Sequence, residues 1–208
     1  MPLLNPTQTY TFSKYFELRF ESGELAEELG YTLHRQEIQF STFAGELSFL
    51  TDLQQRLKDV LPYVALTSAL AKREILIAPV ITELIRFTRA ELRIEYPLKV
   101  SNYLQGSLDY LLRKDSAHSL LVIEAKRDDI ESGFTQLLAE LVAIDQWDKA
   151  PESNLIVGAV STGNLWQFGT LDRRAKRFTQ GLNAYLVPRD LDTLMRILVS
   201  ILQGQQNF

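Results

Sequence analysis

Asp109, Glu124 and Lys126 supply two carboxylates and an ammonium within 18 residues, and the strands around them can bring all three to one point. That is the equipment of a metal-dependent phosphodiesterase. Such an enzyme must deliver a hydroxide in line with a leaving oxygen while neutralising charge on the transferring group, and a divalent ion held by carboxylates does both. Asp109 and Glu124 suit the role of ligands, and the backbone carbonyl of Ala125 can be a third. Lys126 can orient the attacking water or stabilise charge on the phosphoryl group. It also relieves the repulsion between the carboxylates.

Two strands must position these groups. Ser119–Lys126 is apolar apart from Glu124 and Lys126, and a two-residue period sets Val122, Glu124 and Lys126 on one face, with Leu121, Ile123 and Ala125 on the other. Leu104–Leu112 is a second strand, with Asp109 the only charge in an apolar run, and Arg113–Ser116 supplies a polar turn. Asp109 and Glu124 can then face each other. Glu91–Val100 reads as a strand before them, which makes an antiparallel meander.

The pattern changes near residue 65. Before it, Thr11–Arg19 and Glu46–Val60 look helical, the second closed by Pro62, and Tyr31–Phe40 alternates enough to be a strand or a loop. Residues 66–89 form one helical region, with Leu70, Glu74, Ile77, Ile81 and Leu84 at helical spacing and Pro79 kinking or restarting it. Past the meander, Asp128 and Glu131 form a capping box for a helix running to about Trp147, with an apolar stripe through Ile130, Phe134, Leu137, Leu138, Leu141 and Ile144. Asn154–Val160, a segment carrying Trp166 and Phe168, and Leu182–Val187 read as strands, with a turn at Ser161–Asn164. Asp190 caps a final amphipathic helix through Leu194, Ile197, Leu198 and Ile201. The sum is an α/β fold: an N-terminal helical extension over 1–65 packed on a core over 66–208, one globular domain in all.

The 208 residues, 46% of them hydrophobic, suffice for one well-buried core. With 22 basic against 26 acidic residues there is no global field that would draw nucleic acid or an anionic membrane, so any such contact must be a local patch. The absence of cysteine excludes disulfides, thiolate metal sites and a cysteine nucleophile. No leader pattern opens the sequence and no apolar run is long enough to span a bilayer, which predicts a soluble, cytoplasmic protein with no membrane partner.

Leu108-Asp109, fourteen intervening residues, Glu124-Ala-Lys126 and a following helix with Gln136 together resemble the PD-(D/E)XK, restriction-endonuclease-like nuclease superfamily. The resemblance spans roughly Leu70–Phe168. Lys72–Pro79, Glu95–Leu98, Ile123–Lys126, Gln136–Glu140 and Ser161–Trp166 are similar to uncharacterised cyanobacterial proteins of that kind, and type I restriction subunits have a similar module. It implies a restriction-endonuclease-like core of helix, three-stranded meander, helix and further strands. It further implies a catalytic set of Asp109, Glu124 and Lys126 with Mg²⁺ or Mn²⁺, supported by Gln136 and by an acid on the helix before the sheet. Glu74 and Glu83 are both available there, and Glu74 lies in the matching segment. Leu108 stands where the proline of the superfamily's name would be.

DNA is the expected substrate, with a homodimer or a partner subunit as the expected assembly. The alternative is an inactive nuclease-fold module that binds nucleic acid or protein. Arg173, Arg174, Lys176 and Arg177 form a basic cluster that can neutralise phosphates, or a solvated turn; Lys72 and Arg73 form a weaker patch. Trp166 and Phe168 fit core packing better than base stacking. His34 and His118 are far apart and near no carboxylate pair, so a histidine zinc site is not expected. Gly158–Leu165 has the glycine spacing of a phosphate loop, yet Asn164 and Leu165 stand where Lys and Ser or Thr are needed, so it reads as a hairpin turn.

Overall fold

The computed structural model describes residues 3–5, 7–18, 20–114, 129–148 and 153–206, together with the backbone of 119–125. Seven strands form one mixed sheet: β1 (Thr32–Gln36), β2 (Glu91–Lys99), β3 (Gln105–Lys114), β4 (Ser119–Ala125), β5 (Leu155–Ser161), β6 (Leu165–Asp172) and β7 (Arg177–Leu186). Their order across the sheet is β1-β7-β6-β5-β4-β3-β2. β2, β3 and β4 pair antiparallel, as the meander requires, and β5, β6 and β7 form a second antiparallel run. The two runs join through the parallel pair β4–β5, whose connection is helix α6 (Ile130–Trp147). A parallel pair needs such a crossover, because both strands must start from the same end of the sheet.

Helices cover both faces of this sheet. One face packs against α3 (Leu50–Val60), α5 (Ala78–Thr88) and α7 (Leu191–Leu202), with Trp166 and Phe168 fully buried in that core. The other packs against α6, α1 (Phe12–Leu18) and α2 (Ser22–Glu28). The stripe expected on α6 is instead an all-round burial from Ser132 to Ile144, because α1 and α2 roof its outer side. Gly158 lets α6 come this close to β5: a Cβ there would lie 2.6 Å from Leu137 Cδ1. Among the described residues no helix is long and apolar enough to cross a membrane.

Several boundaries differ from the sequence expectation. Residues 1–65 are not an all-helical extension: Tyr31–Phe40, read as a strand or a loop, supplies β1, which joins the common sheet parallel to β7. The helical stretch 66–89 resolves into a short turn α4 (Ala69–Lys72), a π-helical turn over Arg73–Ile77, and α5 with Pro79 at its start. Proline cannot donate to the carbonyl four residues back and its ring crowds that carbonyl, so a widened turn ahead of Pro79 carries the chain on without a break. The cap of α6 is Asp129, whose carboxylate accepts from Ser132 N and Ser132 Oγ at 3.0 and 2.7 Å; Asp128 lies outside the described residues. Asp190 precedes α7 but accepts from Leu186 N at 2.8 Å, not from an amide of the helix. The last strand is longer than Leu182–Val187, since β7 begins at Arg177.

One irregularity shapes the sheet edge. In β3, Tyr110 and Leu112 pack on the α5 and α7 side, whereas Leu108, also even-numbered, packs on the α6 side. In β2, Leu92 joins the first core and Tyr96 and Leu98 the second. Strict alternation would keep each set on one face. Both strands therefore change face between Ile94–Tyr110 and Tyr96–Leu108, at Glu95 and Asp109. Glu95 absorbs the change with a left-handed backbone, φ 50°.

Candidate active site

Asp109 sits at this change of face, half-buried, in a cleft of about 570 Å³ between β2, β3, α1, α4 and α6. Arg73, Glu95, Ser107 and Gln136 line the same cleft, whose volume is in the range that holds small ligands. Pairing of Tyr110 with Ile123 makes Asp109 and Glu124 the next positions outward on their strands, and Glu124 in turn pairs with Val160. Register therefore brings positions 109 and 124 together, with Ala125 one residue on. Lys126 lies outside the described residues, as does His118.

Gln136 comes from the second turn of α6, is 3% exposed, and donates from Nε2 to Oε1 of Glu140 at 2.8 Å. Glu140, one turn further, is completely buried. A buried carboxylate and amide on an otherwise apolar helix are costly unless hydrogen-bonded. Arg73 reaches the cleft from the π turn. Its Nε donates to the Tyr110 hydroxyl at 3.0 Å, its Nη1 to Glu95 Oε1 at 3.3 Å, and its guanidinium carbon lies 4.9 Å from the Tyr110 ring centre. Burial disfavours its charge, but the Tyr110 hydroxyl and the charges of Asp109 and Glu95 outweigh that and hold Arg73 above the ordinary arginine range.

The two candidate helix acids separate. Glu74 is exposed on the π turn, next to Arg73, and does not line the cleft. Glu83 is buried on α5 and holds Arg56 and Arg86, each at 2.9 Å. The basic run lies elsewhere: Asp172 pairs with Leu155 at the start of β5, whereas Ala125 pairs with Ser161 at its end, so the turn after β6 is at the opposite end of the sheet from position 124. There Arg173 is engaged by Asp145 and Asp148 at 3.1 and 3.2 Å, Lys176 by Asp145, and Arg177 by Asp172 at 3.8 Å. Arg174 is exposed. Ser161–Asn164 is the hairpin turn expected, with Gly163 at φ 95°. His34 is exposed on β1.

Sequence reasoning missed Glu95 and gave Arg73 only a place in a weak patch. The signal for Glu95 was available once β2 and β3 were read as a hairpin, because the register that pairs Tyr96 with Leu108 leaves Glu95 beside Asp109. Among the described residues no three His, Asp or Glu side chains converge as a metal-binding group. Asp109 offers the cleft a hard carboxylate oxygen, the donor type that divalent cations such as Mg²⁺ or Mn²⁺ take. No protein-family model, curated protein or solved structure matches this chain. The fold and site define a mixed α/β protein with helices on both faces of its sheet and a polar cleft beside β2 and β3.

Proposed function

We propose that the chain is a restriction-endonuclease-like, metal-dependent phosphodiesterase acting on DNA. The observation that carries this reading is the strand register, which sets Asp109 beside position 124 at the mouth of a cleft that Gln136 enters from the crossover helix. Asp109, Glu124 and the carbonyl of Ala125 would hold the Mg²⁺ or Mn²⁺, which when bound supplies a water of lowered pKa and offsets phosphate charge. Lys126, by the same resemblance, would orient the attacking water and offset the repulsion between the two carboxylates. Gln136 is fixed by Glu140 and lines the cleft.

Cleavage of labelled single- and double-stranded DNA with each metal, by wild type and by Lys126→Ala purified identically, tests it. Activity in the wild type that the substitution abolishes supports the reading. Failure of both proteins on both substrates favours the inactive nuclease-fold module that binds nucleic acid or a protein partner.

A further inference from the structure

Arg73 is held in a way that leaves its fork for something else. Nε is committed to the Tyr110 hydroxyl, and the guanidinium carbon sits over that ring, 4.9 Å from its centre. Among the described residues Nη2 makes no hydrogen bond, and Nη1 has only the 3.3 Å contact to Glu95. Charge-assisted bonds of this kind are normally about 2.7–2.9 Å. The Glu95 side chain is 67% exposed while that of Arg73 is 21% exposed, so the acid can swing into solvent and the arginine cannot follow it. Glu95 also keeps its place with a left-handed backbone, strain of a kind that clusters at ligand sites. Both line the cleft that holds Asp109.

Resting on the phosphodiesterase reading, we propose that Arg73 binds a backbone phosphate oxygen of the substrate, and that Glu95 is its placeholder, holding the guanidinium until the phosphate displaces it. A planar fork with a fixed stem matches two phosphate oxygens, whereas a lysine would offer a mobile point charge. The exchange swaps a carboxylate for a phosphate on one cation. Arg73 thus has an anionic partner both before and after substrate binds.

The test is fluorescence anisotropy of a short labelled DNA duplex with EDTA present, over a range of salt, for wild type, Arg73→Ala, Arg73→Lys, Tyr110→Phe and Glu95→Gln. Thermal unfolding of each checks the fold, and cleavage is assayed in parallel with Mn²⁺. Arg73→Ala should raise Kd roughly ten-fold or more and reduce the slope of log Kd against log salt by about one. Arg73→Lys should recover only part of this, and Tyr110→Phe should fall between wild type and Arg73→Ala. Glu95→Gln should move the other way, lowering Kd roughly two- to five-fold, because the competitor for the guanidinium is weakened. A purely structural ion pair would give both single variants the same sign. Arg73→Ala with unchanged Kd and slope, in a wild type that cleaves, overturns the proposal and leaves the phosphodiesterase reading standing. Arg73-dependent binding without cleavage in Mn²⁺ keeps the phosphate site and removes the catalytic reading. A wild type that does not bind DNA overturns the proposal.

Discussion

Replacing Asp145 by alanine should unfold this protein at a markedly lower temperature, although the residue is far from the cleft. Its carboxylate is 7% exposed and takes Arg173, itself 9% exposed, at 3.1 Å, the Tyr31 hydroxyl, and Lys176. Removing it leaves the buried guanidinium with one carboxylate, Asp148 at 3.2 Å and 27% exposed, and the backbone carbonyl of residue 145 at 3.5 Å. Breaking a buried pair on one side costs about 3–5 kcal/mol, because the remaining charge is left in a poor solvent. Asp148 stays in place and Lys176, half exposed, can turn to water, so the lower end, about 3 kcal/mol, is the expected loss. For a chain of this size that lowers Tm by roughly 6–12 °C. Burial raises the pKa of Asp145, but hydrogen bonds from Lys176 and Tyr31 and the nearby charges outweigh it and hold the group below the ordinary Asp range. A depressed folded pKa stabilises above the unfolded value and is lost as pH falls through the folded one. The acid limb of Tm against pH should therefore be shallower in Asp145→Ala than in the wild type. Circular dichroism melts at neutral pH and through the acid range provide both readings. The double variant Asp145→Leu with Arg173→Met should recover most of the loss, since apolar isosteres match or exceed buried pairs. A loss below about 1 kcal/mol, or an unchanged acid limb, would refute the buried-network argument.

Three other outcomes follow from local geometry. Gly158→Ala forces a methyl to within 2.6 Å of Leu137 Cδ1 and should cost about 1–3 kcal/mol in denaturant unfolding, part of it regained with Leu137→Val. Arg89 ends α5 at φ 61°, a position glycine occupies without strain, so Arg89→Gly should raise stability by roughly 0.5–1 kcal/mol, read as an upward shift of Tm. Burial and the Asp145 hydrogen bond push Tyr31 up to about 12, so its contribution is complete below the ordinary tyrosine value and fades as pH rises through about 12; the difference between wild type and Tyr31→Phe in an ultraviolet absorbance titration should show that late ionisation.

The sequence made the meander and the crossover helix legible because their signals are local. β3 and β4 are apolar runs bounded by polar turns, and the α6 pattern is long enough to declare its period. The pairing of β1 with β7 was not legible, since nothing in Thr32–Gln36 names a partner 145 residues away. Nor was the change of face. Leu92, Ile94, Tyr96 and Leu98 keep a strict two-residue period, which implies one buried face, and one non-glycine residue with positive φ divides them between two cores. Such a residue has no sequence signature, because its cost is offset by the packing on either side. The cap of α6 failed more simply: two adjacent aspartates precede the helix, and spacing alone does not choose between them. Of the site, the strand acids were readable from charge in an apolar run, whereas Arg73 and Glu95 acquire meaning only from the register.

The pairing of β1 with β7 also sets a timetable. Residues 32–36 leave the ribosome long before residues 177–181 exist, and at roughly 5–20 residues per second the wait is about 7–30 s. α1 and α2 must wait as well, because the helix they roof, α6, is made more than a hundred residues after them. α1 and α2 can dock once α6 is made, whereas β1 must wait for β7, the last strand of the sheet to be synthesised. A chain cut between β6 and β7 would leave β1 without its strand partner while the β2–β3–β4 meander was already paired.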